Sequence, residues 1–387
     1  LFNEKSRLSK FKLDFRLIRE IDTGLLIATI LLVLYGIFNI YLCTKGDLSA
    51  YGPFYYVKKQ SMSFVLSMVA LYIFVAVDYR IMYRYITIFY WGSVALLIAV
   101  WIPFIGVEVN GARGWITLGI GNLQPAEVAK FAIILMVAKI LDEIDCEVNN
   151  IRNIGKILIY VMIPVSLILF QPDMGMTMVC FFIVLGMIYV AGLDKRIILG
   201  GFLAIFLAII VLWNTPLILP HQKARIASIM NPDPDNSANG YQLNQSLIGI
   251  GSGGLAGTQP SLDSEIAPGY TGTHVPEIQT DFIFAAIGEQ WGFVGIMFLL
   301  GLYAVLITRM VNIARKAKDR FASLVCIGIV SYFLFAITQN IGMTIGLLPI
   351  TGITLPLISY GGSSLLTTTM AVALVLNIGM RKKKIHF

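Results

Sequence analysis

Apolar runs separated by polar or turn residues recur ten times along this 387-residue chain, and they leave it few possible folds. They cover roughly 23–42, 61–77, 85–105, 126–141, 157–170, 174–192, 196–219, 281–308, 321–345 and 357–380. A helix that crosses a bilayer needs about 20 apolar residues, and most of these runs reach that length. Strands of a membrane barrel would be about 10 residues long with alternating polarity, which these are not. Composition agrees: 57% of the residues are hydrophobic and 13% charged, against about 25% charged in soluble domains. A soluble globular protein, a disordered chain and a collagen-like repeat are all excluded. The expected fold is an all-α integral membrane protein of ten transmembrane helices, one polytopic domain over 1–387.

Ten is even, so both termini fall on one side. Twenty-one of the 29 Lys and Arg lie in the tails and in the loops on that side, and six lie opposite. Cytoplasmic loops carry the basic excess, so both termini are placed in the cytoplasm, with 1–22 and the basic 381–387 as tails. The first 22 residues are highly charged and precede a long run, which reads as a cytoplasmic segment, not a cleaved leader. The net charge of +7 is then a topology signal and a contact with membrane lipid headgroups, not a nucleic-acid surface. Four scattered Cys and three His offer no CxxC or His-rich metal motif. Of the segments that face outward, three are informative: 106–125, a large loop at about 220–280, and the uncharged 346–356. No internal repeat is visible, which argues against an inverted-repeat transporter.

Charge at or inside a span marks function or mutual neutralisation. Glu127 and Lys130 are three apart on one face of the fourth run. They are either a self-neutralising pair or the wall of a polar cavity. Arg113 and Trp115 precede them in NGARGW; the Trp reads as an interface anchor and the Arg as a phosphate ligand. Asp173 follows Gln171-Pro172, as a helix N-cap with an additional site role open to it. Asp281, in PEIQTDFIFAAIGEQWG, is the strongest candidate. It is either an N-cap, competing with Thr280, or an outward carboxylate able to take a proton from a hydroxyl. Glu277 lies four residues before it. Glu289 and Gln290 sit inside the apolar run and need partners. Arg225 is a further cation in the large loop. The glycines at 249, 251, 253 and 254 suit close packing or flexibility better than a phosphate cradle, because the strand–helix context of a nucleotide loop is missing. The apolar 346–364 segment must be buried in protein or line a cavity, and suits a groove for lipid tails. Because most in-span charge gathers in spans four and eight, an enzyme acting on a lipid-linked substrate is favoured over a transporter or flippase.

Four segments taken together, NGARGWITLGIGNLQPAEVAKF, QPDMG, PEIQTDFIFAAIGEQWG and LPITGITLPLISYGGSS, resemble the SEDS family (shape, elongation, division and sporulation) over essentially the whole chain. The LLPITGITLP form resembles the rod-shape members more than the division members. The resemblance implies a peptidoglycan glycosyltransferase in the bacterial cytoplasmic membrane. Its substrate would be lipid II, a disaccharide-pentapeptide on undecaprenyl diphosphate, joined into β-1,4 glycan at the outer face. It implies Asp281 as the essential loop carboxylate and Glu127 and Lys130 as the cavity pair. It also implies Arg113 and Trp115 as the ARxW segment, Asp173 as the QPD aspartate, and a class B penicillin-binding protein as partner. The chain departs from the pattern at Gly114, where relatives often carry Arg. A divalent cation (Mg or Mn) is a candidate assistant for a diphosphate leaving group, although the sequence shows no dedicated cage.

Overall fold

The computed structural model describes residues 20–45, 52, 54–109, 112–117, 122–201, 203, 207, 238–258 and 269–381. Its helices are α1 (Thr23–Thr44), α2 (Tyr55–Ala76), α3 (Tyr79–Ala99), α4 (Pro125–Glu143), α5 (Ile151–Phe170), α6 (Met174–Val190), α7 (Ala238–Ser252), α8 (Tyr270–His274), α9 (Ile283–Arg315), α10 (Arg320–Thr344) and α11 (Gly362–Met380). Among the described residues, seven helices are long and apolar enough to cross a membrane, and α6 is a shorter apolar one. The helical membrane architecture is therefore as expected. The seventh run, 196–219, is helical over 195–201, and most of the remainder lies outside the described residues.

The polar residues that punctuate the runs begin the helices. Asp22, Asp78, Asn150, Asp173 and Asp319 each accept a hydrogen bond from a first-turn backbone N–H of α1, α3, α5, α6 and α10, which satisfies donors that the helix itself leaves orphaned. Hydropathy clips the helix ends. α2 begins at Tyr55 and not at 61, and α5 at Ile151 and not at 157, because Lys and Arg at a span end keep helical backbone while their stems reach for water. In the other direction, α11 starts only at Gly362, after Pro356 and a left-handed Leu357 (φ 67°).

One departure from a purely helical fold lies in 106–123. There β1 (Gly106–Val109), β2 (Ala112–Thr117) and β3 (Asn122–Leu123) form an antiparallel sheet in the order β1-β2-β3. Val107 faces Trp115 and Glu108 faces Arg113 across the first pair.

α4, α10 and α11 form the centre and are largely buried. α2 packs along α11, α9 along α1 and α10, α3 along α4, and α6 along α10. α2 turns most of its apolar side chains outward, Val65, Val69 and Tyr72 among them, as a lipid-facing helix does. Small residues set the close approaches. A Cβ on Gly36 of α1 would stand 2.5 Å from the carbonyl oxygen of Ile358, and one on Gly328 of α10 would stand 2.8 Å from Ile134 of α4.

α9 is interrupted. Gly292 has φ 61° and ψ −158°, a conformation essentially reserved for glycine. The freed backbone groups are taken up by the glycine-rich run after α7: Phe293 and Val294 N–H donate to the carbonyls of Gly254 and Leu255 (2.9 and 3.1 Å), and Thr258 N–H donates to that of Glu289 (2.9 Å). A Cβ on Gly253 would meet the Gly288 carbonyl at 2.0 Å, and one on Gly257 the Gln290 carbonyl at 2.1 Å. Of the four glycines singled out in the sequence, Gly249 and Gly253 are closely packed, whereas a Cβ on Gly251 or Gly254 would meet open space. Glu289 finds its partners one layer further out. Its carboxylate accepts from Tyr270 N–H (2.5 Å), Thr271 N–H (2.8 Å) and Thr271 Oγ1 (2.5 Å), gripping the start of α8.

Asn377 of α11 makes a comparable closure at the opposite end. Its Nδ2 donates to the carbonyls of Phe74 (2.7 Å), Val75 (3.1 Å) and Val77 (2.5 Å), and its Oδ1 accepts from Arg381 Nη1 (2.7 Å). One side chain thus caps the C-terminus of α2. Asn377→Leu keeps the branched shape and removes every one of these bonds. Buried polar groups left unpaired cost about 1–3 kcal/mol, so the variant should unfold in detergent at a clearly lower temperature than wild type, which a fluorescence-detected melt reads directly.

Candidate active site

A cavity of about 470 Å³ opens among α2, the sheet, α4, α6, α10 and the start of α11. Its wall includes Trp115, Glu127, Lys130, Asp173, Glu277 and Asp281. Six of the side chains singled out in the sequence, from four separate segments, are therefore neighbours. Two are not placed there. Arg113 stands on β2 opposite Glu108, outside the cavity lining, and Arg225 lies outside the described residues.

The floor is ionic. Pro125 opens α4 and puts Glu127 in its first turn, with Lys130 one turn on. Lys130 Nζ donates to Glu127 Oε2 at 2.7 Å, with both residues nearly inaccessible, 3% and 4% exposed. Thr367 Oγ1 of α11 donates to the same carboxylate oxygen at 2.8 Å. The ammonium also stands 3.7 Å from the centroid of the Tyr332 ring, and the Tyr332 hydroxyl meets Thr368 Oγ1 at 3.0 Å. A buried ion pair persists only when its remaining valences are met. Here a hydroxyl and an aromatic face meet them, and cation–π contacts gain strength where water is excluded.

Asp173 is an N-cap, as one reading of the sequence had it, and it also lies at the cavity wall. Its Oδ1 caps α6 through Met176 N–H (2.9 Å), and its Oδ2 accepts from Gln124 Nε2 (3.1 Å) at the cavity wall. Asp281 is not an N-cap. α9 begins at Ile283 with Phe282 as its N-cap and no side-chain capping bond, and Thr280 Oγ1 is turned back onto the Glu277 carbonyl (2.9 Å). The Asp281 carboxylate instead faces the cavity, where a Cβ on Gly352 would lie 3.4 Å from its Oδ2. Glu277 supports this turn with a left-handed backbone (φ 52°).

The opposite rim belongs to 352–364. Gly352, Ile353, Thr354, Tyr360 and the start of α11 line it, and Met62, Met176 and Val179 make it partly apolar. Ser363 Oγ donates to the Asn122 carbonyl (2.9 Å) and accepts from Gln124 N–H (3.1 Å), joining α11 to β3 and the start of α4. Three contributors escaped the sequence reading. Lys59 lines the cavity from α2, where 59, 62 and 63 share a helix face, so its spacing was a signal that counting it as a loop charge concealed. Tyr332 and Thr367 sit in apolar runs and had no signal at all. Among the described residues, no three or more His, Cys, Asp or Glu side chains are grouped to hold a metal ion, so the acidic residues here do not form a divalent-ion cage.

A cavity that combines a solvent-reachable carboxylate, a buried ion pair and an apolar rim suits a ligand with a polar head and a long apolar tail. The family profile of cell cycle proteins that spans FtsW, RodA and SpoVE matches residues 23–384. The probable peptidoglycan glycosyltransferase FtsW of Geobacter metallireducens is 31% identical over 376 residues, 96% of this chain and 98% of that one. The peptidoglycan glycosyltransferase MrdB of Escherichia coli K12 is 34% identical over 296 residues, 75% of this chain and 77% of the other. A solved structure described as the structural coordination of polymerization and crosslinking by a peptidoglycan synthase complex contains a chain with TM-score 0.78 and 29% identity, covering 93% of this chain and 97% of that one. With the profile matched from the first residue of α1 to beyond the end of α11, the chain belongs to the FtsW/RodA/SpoVE family of cell cycle proteins, the SEDS family that its motifs resemble.

Proposed function

We propose that this protein is a peptidoglycan glycosyltransferase that polymerises lipid II at the outer face of the cytoplasmic membrane, acting in elongation and rod shape as RodA does. The observation that carries the reading is Asp281. Its carboxylate is released from helix capping and set over a cavity that also holds Glu127 and Lys130. The distribution of Lys and Arg along the chain supports the outward placement of that cavity. The Ile350-Thr351-Gly352 form of the rim supports the elongation type.

In this mechanism Asp281 takes the proton from the 4-hydroxyl of the acceptor GlcNAc as that oxygen attacks C1 of the donor MurNAc. The bond from C1 to the phosphate oxygen breaks, and undecaprenyl diphosphate leaves with the electron pair. Lys130 and Lys59 supply positive charge toward the diphosphate, Arg113 and Arg225 are further cations for it, and Trp115, Asp173 and Glu277 shape the polar wall. The prenyl chains lie against the apolar rim and the outward face of α2. A class B penicillin-binding protein is the proposed partner. The similarity to a chain of a synthase complex that coordinates polymerization with crosslinking supports this.

The test is purified protein with and without that partner, given labelled lipid II in detergent, with moenomycin present to silence glycosyltransferases of the other class. Long glycan from wild type is expected. Transfer of lipid II between leaflets without polymer would mean a flippase, and a complex that forms without either activity would mean a scaffold. Asp281→Asn is nearly isosteric and should lose about 10²–10⁴-fold in polymerisation rate, the usual worth of a general base, with its melting temperature kept. Lys130→Met should lose activity and stability together, because removing one partner of a buried pair leaves the other charge uncompensated. The double variant Glu127→Gln/Lys130→Met should recover stability without activity, and normal activity there would make the pair merely structural. Arg113→Ala should raise the KM for lipid II several-fold, and unchanged kinetics would remove Arg113 from the diphosphate site.

A further inference from the structure

We infer that Asn340 is a positioning residue for Asp281, a reading that rests on the proposed role of that carboxylate. Gln339 and Asn340 are adjacent amides near the end of α10, in an apolar run, and both are buried, at 1% and 0% exposure. An amide in such a place is costly unless it is bonded. Asn340 Nδ2 donates to the backbone carbonyl of Asp281 at 2.8 Å and to that of Ile353 at 2.7 Å. Both neighbours are acceptors, so the amino end of the amide is the end that faces them. Its Oδ1 has no hydrogen-bond partner among the described residues. The side chain therefore acts here through its donors and not through its acceptor.

Those donors join the two segments that meet at the cavity. Asp281 is on one. On the other, Gly352 precedes Ile353, takes a left-handed backbone (φ 73°) and brings its Cα side within 3.4 Å of Asp281 Oδ2, measured to an added Cβ. One amide thus sets the distance between the carboxylate and the opposite wall. The neighbouring Gln339 holds a different point, donating from Nε2 to the Pro349 carbonyl at 2.8 Å. Asn340 is not in the cavity lining, so it acts through Asp281 and not on the substrate. Displacement of a reacting group by about 1 Å can cost on the order of a hundredfold in rate.

The experiment measures lipid II polymerisation by the full chain with its partner, as pH profiles of kcat, for wild type, Asn340→Leu, Asn340→Ser and Gln339→Leu. All three substitutions are neutral, so none adds a charge near Asp281. The expected result for both Asn340 variants is a kcat at least tenfold lower, a KM within about twofold of wild type, and an acid limb moved by half a pH unit or more. Gln339→Leu should leave the acid limb in place, even where it costs stability. A smaller folded fraction lowers the apparent kcat and does not move the limb, so the profile separates positioning from stability. Wild-type kcat and an unmoved limb in the Asn340 variants overturn the inference. If neither folds, Asn340→Gln decides, since it keeps both donors on a side chain one methylene longer and so displaces the same two carbonyls: a moved limb supports the inference and an unmoved one overturns it. Failure of the underlying reading is distinct, and shows as no polymer from wild type or full activity in Asp281→Asn.

Discussion

At membrane depth no water is available to pair with a backbone or side-chain polar group, and each group left unpaired costs several kcal/mol. This constraint organises most of the structure. Asn377 closes the end of α2 because three carbonyls there have no fourth residue of helix to bond. The glycine run after α7 lies against α9 because the break at Gly292 frees backbone groups that only another backbone can reach. Glu289 is tolerated in an apolar helix because three donors at the start of α8 surround its carboxylate. Glycine is required at these contacts for the same reason: the approach that brings carbonyl to amide leaves no room for a Cβ.

The same constraint makes the cavity stand out. Glu127 and Lys130 could have been replaced by well-packed apolar residues at little cost, or at a gain, as is common for buried pairs. Instead the pair is reinforced by Thr367 and by the face of Tyr332, on three helices that form the centre of the bundle. Rigidity of this kind fits a site that must hold charge in a fixed place. Asp281 is set differently. It lies on a short turn ahead of α9, held from behind by its backbone, so that its carboxylate faces the cavity while the chain around it is pinned to α10. The two arrangements contrast a fixed ion pair at the cavity floor with a carboxylate mounted on a clamped turn.

Much of this was legible in advance. Nine of the ten apolar runs correspond to helices among the described residues, because a bilayer span imposes both length and apolarity on the sequence. Glu127, Lys130, Asp173 and Asp281 stood out because charge inside an apolar run is rare. Lys59 and the ends of α2 and α5 were misjudged for one shared reason, that hydropathy does not mark where helical backbone stops. The sheet at 106–123 was hidden because strands of two to six residues leave no periodic pattern long enough to read.

What the sequence determined by itself was the class of fold, the number of apolar runs and the identity of the unusual charges, all of which follow from solvent partition and need no knowledge of neighbours. What only the tertiary structure decided was which of those charges share a space, which capping reading holds for Asp173 and which fails for Asp281, and what the silent residues do. Tyr332, Asn340, Thr367 and Asn377 each reach partners distant in the chain, from 13 positions for Asn340 with Ile353 to 303 for Asn377 with Phe74, and no local pattern of polarity encodes a contact made across that distance. Their roles come from packing, where the need to pair every buried polar group selects one arrangement among the many that the same apolar runs would allow.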